Sequence, residues 1–446
     1  MPRIRPSVLA AAITGLAALI ITAAPAAAQS SSTTVGPAAP CSPGLSSFGG
    51  SSLAGSSAPM LRGTPGTTLP VLKGPTQAMH LVTGAGSPQR TDQRWALAGT
   101  DLGIAFTDET GETILAFGDT VACDGTPTDW RSNTLVRTTD RNYTDGLHID
   151  QALTATGFRD EGKAVEFIPS LKIPGVEHTT IPTAGIAVGD VLFIDYMSVR
   201  SWGAPGEWVT NYAATVKSTD GGVTWQLVPE SLRINSTGHA DVLAALPELP
   251  AGYGMDNEQL QMSALVHGGD GWIYRMSTPS GRQEQAVLAR IAPEDFPDES
   301  AFTYFDGTSW QDDPAVAVPV LDGKVSELSL TYNDHLGQWV AMYIDGNGMV
   351  LRTADELTGP WSEKRMLVNT GTIPDLYGGF VLPYNDDRHL YYVATTWSSY
   401  NVMLMRTDLG EQTTALDDQV EVVGTLDFSD PAEPTLVEEP GLPAVE

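Results

Sequence analysis

The 446-residue chain has only two cysteines, Cys41 and Cys123. No disulfide framework can carry this fold, so its stability must come from a packed core. Basic residues are also scarce: 24 Lys and Arg stand against 54 Asp and Glu, a formal net charge of −30. Phosphate contacts need Lys and Arg, so nucleic acid and anionic membranes are poor partners for this surface. Beyond the N-terminus no apolar run is long enough to span a bilayer. Helical periodicity is nearly missing, and Asp241 to Leu249 is the main stretch that suggests a short helix. No Gly-x-Ser-x-Gly, His-Glu-x-x-His or P-loop motif occurs. The histidines His80, His148, His178, His239, His267, His335 and His389 lack ligand spacing. No cofactor or metal is therefore expected, although the turn Asp345-Gly346-Asn347-Gly348 has donors that calcium also uses.

The N-terminus carries a targeting pattern. A basic Met1-Pro2-Arg3-Ile4-Arg5 precedes an apolar run from Val8 to Ala24 and an Ala26-Ala27-Ala28 cleavage pattern. Residues 1–28 read as a secretory signal peptide, which implies a secreted, extracellular product, associated in one reading with a cell wall. No membrane contact is expected after cleavage. Residues 29–74 are rich in Ser, Gly, Pro and Thr and read as a flexible linker. Export permits a Cys41–Cys123 disulfide that would tether this linker, and the sequence leaves that pairing open. Residues 415–446 hold no Lys or Arg and read as an acidic tail, with one added strand near Val420 to Leu426. The folded domain is then 75–414, expected to act as a monomer.

Within that domain, short runs rich in Val, Ile, Tyr, Trp and Thr alternate with Gly, Asp and Asn turns, the mark of an all-β fold. A strand ending in a basic residue and followed by Thr or Ser and Asp recurs at Arg137, Lys217, Arg352 and Arg406, with a looser copy at Arg290. A hairpin precedes each copy: Thr100 to Phe117, Ile181 to Tyr196, Leu260 to Tyr274, Leu328 to Tyr343 and Tyr377 to Val393. Five such repeats predict a five-bladed β-propeller, with six blades as the competing count. Ser218-Thr219-Asp220-Gly221-Gly222-Val223-Thr224-Trp225 fits the Asp-box, a structural staple of propeller hairpins.

In a propeller the first strand of each blade lines the central channel. A turn centred on Thr110 sets Asp101 opposite Asp119 in the first hairpin. Two facing carboxylates cost stability, and each raises the other's pKa. Glycoside hydrolysis needs such a pair, one protonated and one ionised. The bland alternative is one turn-capping and one solvated Asp, and a one-residue bulge would also separate their faces. Other inner strands start with Thr180 and Thr183, Gln261, Glu327 and Tyr377. Glu327 is a candidate third carboxylate, or a Glu paired with an Arg from a neighbouring blade. Trp130, Trp202, Trp397 and Tyr400 offer faces on which sugar rings stack, as core neighbours also do.

Several short motifs occur in order: Gly99-Thr100-Asp101-Leu102-Gly103, Phe117-Gly118-Asp119-Thr120, Trp130-Arg131-Ser132-Asn133, Ile181-Pro182-Thr183-Ala184-Gly185-Ile186, Tyr196-Met197-Ser198-Val199 and Pro279-Ser280-Gly281-Arg282. The set resembles an actinobacterial and phage family, formerly a domain of unknown function, now recognised as glycoside hydrolases of the endo-D-arabinanase type. The resemblance implies a five-bladed propeller that cuts the D-arabinan of mycobacterial-type arabinogalactan and lipoarabinomannan. It implies Asp101 and Asp119 as the catalytic acids, and analogy with other five-bladed glycosidases favours inversion. Trp130, Arg131, Thr183, Gln261, Glu327, Tyr377 and Trp397 are the expected substrate contacts. Two other readings compete: a propeller glycosidase for L-arabinan or sialic acid, the latter needing an Arg cluster, and a wall-binding propeller without catalysis.

Overall fold

The computed structural model describes residues 66–122, 129–235, 257–385, 388–410 and 420–437. The expected signal peptide, most of the expected linker, Cys41, Cys123 and the helix expected over 241–249 lie outside the described residues. What is described is all-β, with one five-residue α-helix at Thr91–Trp95.

Strands β1 (Thr68–Lys73) and β2 (Thr76–Leu81) come first. Five antiparallel meanders follow. The first sheet contains β3 (Leu102–Thr107), β4 (Thr113–Phe117), β5 (Thr134–Thr138), β6 (Gln151–Thr154) and β7 (Gly157–Arg159). The second contains β8 (Thr179–Val188), β9 (Val191–Trp202), β10 (Trp208–Ser218) and β11 (Gln226–Ile234). In the third, β12 (Met262–His267), β13 (Ile273–Thr278), β14 (Ala286–Ile291), β15 (Thr303–Phe305) and β16 (Trp310–Gln311) run in order, and β17 (Pro319–Leu321) also pairs with β14. The fourth holds β18 (Ser326–Asn333), β19 (Gln338–Ile344), β20 (Gly348–Ala354) and β21 (Arg365–Asn369). The fifth holds β22 (Leu376–Val381), β23 (His389–Thr396) and β24 (Val402–Asp408), and takes β2 as its fourth strand.

Pairing of β2 with β24 joins the two ends of the domain, from Thr76↔Thr407 to Leu81↔Met403. β1 does the same with β25 (Glu421–Asp427), which pairs in turn with β26 (Thr435–Val437). Linker composition extends through residue 74 and tail composition begins at 415, yet Thr68–Lys73 and Glu421–Asp427 are paired strands. Buried Leu69, Leu72 and Phe428 supply the apolar contacts. Short strands of this kind vanish in the average composition of a long polar window.

The strands bury both faces. All five residues of β4 are buried, as are Leu192 to Val199 of β9. Such sheets need apolar cover on each side, and they obtain it from one another. Four large apolar clusters lie between sheets: one shared by the first, second and fifth, and one each between fourth and fifth, third and fourth, and second and third. The first strands pack in a cycle: β3 against β8, β8 against β12, β12 against β18, β18 against β22 and β22 against β3. The sheets pack without a shared ladder, so each stays open. Gly185 of β8 marks how closely two sheets approach: a Cβ there would fall 2.2 Å from Phe106 Cδ1 of β3.

The hairpin between β10 and β11 is the Asp-box. Asp220 Oδ1 accepts from the Val223 and Thr224 amides at 3.1 and 2.9 Å, and Gly221 and Gly222 take φ of 70° and 87°. Trp225 donates to Gly222 O at 2.9 Å and packs on Phe167. Ions also tie the second sheet to the third. Arg233 donates to Asp195 at 3.0 Å within the second sheet and reaches Glu299 at 3.7 Å, to which Arg275 of the third donates through two nitrogens at 2.7 and 2.6 Å. Arg233 and Asp195 are almost fully buried. Removing one partner leaves a buried charge unpaired, which costs about 3–5 kcal/mol. Arg233→Met is expected to lower unfolding free energy by that amount in urea titration. A loss under about 1 kcal/mol, the range of an exposed pair, would contradict this role.

Candidate active site

The site starts from the β3–β4 hairpin. From Thr107↔Thr113 to Ile104↔Ala116 the register follows the expected turn, but it slips between Leu102 and Ile104, so that Leu102 pairs with Phe117. Asp101 therefore faces Gly118, not Asp119, and its carbonyl accepts the Gly118 amide at 3.1 Å. The bulge uses left-handed backbone at Leu102 (φ 66°) and Gly103 (φ 108°). Leu102 is a strained exception for a branched residue, held by its amide on Thr395 Oγ1 at 3.2 Å. Gly118 is required here: a Cβ would sit 2.3 Å from Asp101 Oδ1.

Both carboxylates are buried. Asp119 Oδ1 accepts from Trp130 Nε1 at 2.8 Å and Thr179 Oγ1 at 2.7 Å. Asp101 Oδ2 accepts from the Tyr377 hydroxyl at 3.0 Å, whereas its Oδ1 is enclosed with no hydrogen-bond partner among the described residues. Burial pushes the Asp101 carboxyl up to about 7, with the nearby Glu327 charge adding to it and the Tyr377 and Tyr400 hydroxyls and Arg282 opposing it. Asp119 is raised well above the usual carboxylate range, first by burial and then by the charge of Asp101. The two donors to Oδ1 oppose that rise.

Aromatic rings wall the pair. Tyr377 stacks on Trp397 at 4.4 Å and 12°, and Trp397 stacks on Tyr400 at 6.2 Å. Tyr400 donates to the Asp119 carbonyl at 3.1 Å. On the other side Trp130 lies 5.2 Å from the buried His178 ring, with Lys172 over its face at 5.1 Å. Burial lowers the His178 pKa, and its Nε2 is enclosed without a partner among the described residues.

The structure brings Trp130, Tyr377 and Trp397 to the acid pair. Glu327 stands there too, but as the partner of Arg282: Arg282 Nε donates to its two oxygens at 2.8 and 3.1 Å. Three expected contacts have other tasks. Arg131 is buried and donates to the carbonyls of Ala164 and Ala96 at 2.9 and 2.5 Å, fixing loops to the first sheet. Gln261 is fully enclosed, accepting from Thr210 at 2.7 Å and donating to Asn257 O at 2.7 Å and Arg233 O at 3.1 Å. Thr183 donates to Asp195 O at 3.3 Å within the second sheet. The bulge between Pro182 and Ala184 shifts the register beside it.

Thr179, His178 and Arg282 are site residues that the sequence reading did not single out. Alternation along β8 would have favoured Thr179 over Thr180, because Thr180 turns to Ile168 O at 2.7 Å. Arg282 stands in one of the quoted motifs without a role. Among the described residues no three His, Cys, Asp or Glu converge to hold a metal. Asp345 caps its own turn through the Asn347 amide at 2.9 Å and meets Lys364 at 3.3 Å.

A raised carboxyl has a consequence for stability. The folded state keeps a proton on Asp101 that the unfolded chain releases above about 4. Its contribution is therefore full below that pH and is lost as pH rises through about 7. Asp101→Asn is expected to melt at a higher temperature than wild type at pH 8, with the gap closing towards pH 4. Thermal denaturation at both pH values checks this, and a variant that melts lower at pH 8 would contradict it.

Two Aspergillus proteins are similar in sequence. Notoamide biosynthesis cluster protein J of Aspergillus sp. is 27% identical over 370 residues, covering 77% of this chain and 90% of that protein. Protein J' of Aspergillus versicolor is 27% identical over 341 residues, covering 70% and 85%. Among solved structures, a GH43_1 enzyme from Xanthomonas citri aligns with a TM-score of 0.42 at 10% identity, covering 76% of this chain and 92% of that one. An exo-beta-1,3-galactanase from Phanerochaete chrysosporium aligns with a TM-score of 0.37 at 10% identity, covering 76% and 71%. These structural likenesses are distant. The family-level match runs from residue 86 to 406, and the chain belongs to the family described as Domain of unknown function (DUF4185).

Proposed function

We propose that the protein is a secreted, endo-acting glycoside hydrolase of D-arabinofuranan, built as a five-bladed β-propeller. Support for the propeller comes from the five meanders, the cycle of their first strands and the N-terminal strand that completes the last sheet. The observation that carries the hydrolase reading is the buried pair Asp101 and Asp119 beside stacked aromatic rings. A fold gains nothing in stability from two desolvated carboxylates in one field.

Such a pair titrates as a unit, because charge on one member opposes charge on the other. The protonated member of the pair donates to the glycosidic oxygen as the C–O bond breaks. The ionised member takes a proton from a water whose oxygen bonds the anomeric carbon, and inversion follows. Exchange with solvent then removes the proton from the base and returns one to the acid. The hydroxyls of Tyr377 and Tyr400 stay protonated, since burial raises both far above their usual range.

A neutral polymer suits a chain of net charge −30. The choice of D-arabinan, in the wall polysaccharides arabinogalactan and lipoarabinomannan, rests on the ordered motifs. Extracellular action rests on the N-terminal targeting pattern. Asp101→Asn and Asp119→Asn are each expected to slow release of oligosaccharides from mycobacterial-type arabinogalactan by about 10²–10⁴-fold, read by product chromatography. Wild type is expected to leave plant L-arabinan intact. Variants as fast as wild type would remove the acid pair from the mechanism, and equal digestion of both polymers would remove the sugar assignment.

A further inference from the structure

Arg282 lies in the loop between β13 and β14, and its position is fixed from several sides. Its amide donates to Gly206 O at 2.9 Å, tying this loop to the turn between β9 and β10. Gly281, at φ 90°, permits that approach, since a Cβ there would lie 3.2 Å from the same oxygen. Nε and Nη2 of Arg282 both engage Glu327, whose Oε2 also accepts from Ser326 Oγ at 2.6 Å. The guanidinium lies 5.4 Å from the Trp208 ring and 5.3 Å from that of Tyr377, whose hydroxyl holds Asp101.

Glu327 adopts a left-handed backbone, φ 44°, to make this pair. A desolvated ion pair rarely stabilises more than apolar packing would, and strain at a non-glycine residue adds to the cost. What the arrangement achieves is aim. Nη1 of Arg282 makes no hydrogen bond among the described residues, and the side chain keeps 14% exposure. A donor edge is thus presented near Asp101, with its charge largely balanced by Glu327. Such an edge suits neutral hydroxyl groups better than an anion.

We infer that Arg282 binds hydroxyls of the sugar residue flanking the bond cleaved at Asp101, and that Glu327 is its positioning residue. This rests on the hydrolase reading above. The test uses Arg282→Lys and Glu327→Gln in the full chain. Steady-state kinetics are measured on D-arabinan oligosaccharides, binding is measured by calorimetry in an Asp119→Asn background, and melting temperature is recorded for each variant. Arg282→Lys is expected to raise KM and weaken binding by about ten- to a hundred-fold, with a smaller change in kcat. Glu327→Gln is expected to move both in the same direction by less. If Arg282→Lys does not fold, Glu327→Gln carries the test alone. A lower melting temperature with unchanged KM and affinity would reduce Arg282 to a clamp between sheets and overturn the inference. A wild type that cuts no D-arabinan would overturn the hydrolase reading instead.

Discussion

Asp101 and Asp119 are taken out of water by one hairpin, and burial opposes the charge on each of them. A lone sheet could not hold them. Thr179 comes from the second sheet, Tyr377 from the fifth, Tyr400 from the loop after β23 and Trp130 from the loop before β5. Arg282 and Glu327 extend the cluster to the third and fourth sheets. All five sheets meet at the carboxylates, because their first strands pack in a cycle. Desolvation at the site and apolar packing between sheets are thus two results of one arrangement.

Local irregularity gives the site its shape. Four of the five first strands, β3, β8, β18 and β22, carry a register shift. Left-handed non-glycine residues occur in two of them, at Leu102 and Glu327. A bulge turns a side chain that plain alternation would send to the other face. Here it lets Asp101 lie over Gly118 while Asp119 turns towards Trp130 and Thr179. The strain is stored in the strands that carry the buried acids and their partners.

These features set the limit on what could be read in the chain. Hairpins and third strands were legible because alternation and turn residues are local signals: the pairs β3–β4, β8–β9, β12–β13, β18–β19 and β22–β23 fall where those signals lie. The Asp-box was legible in the same way. The acid pair could be named from spacing, but its register could not, because nothing in Leu102-Gly103 announces a bulge. Arg131, Thr183 and Gln261, which bond neighbouring carbonyls, were ambiguous for a related reason. A polar residue near a strand start looks the same whether it faces a ligand or bonds a buried carbonyl. β1 was hidden by the polar composition around it, while one strand near Val420 to Leu426 was foreseen and β25 spans Glu421–Asp427.

The central claim is that the buried pair breaks glycosidic bonds in a D-arabinofuranan, as distinct from merely binding it. A proton NMR time course of D-arabinan with wild-type protein tests this most directly, because each cleavage creates a new reducing-end anomeric signal. The account predicts that such signals grow from the start of the reaction and that the first anomer formed is the inverted one. Polysaccharide that binds the protein while its anomeric spectrum stays unchanged would contradict the account.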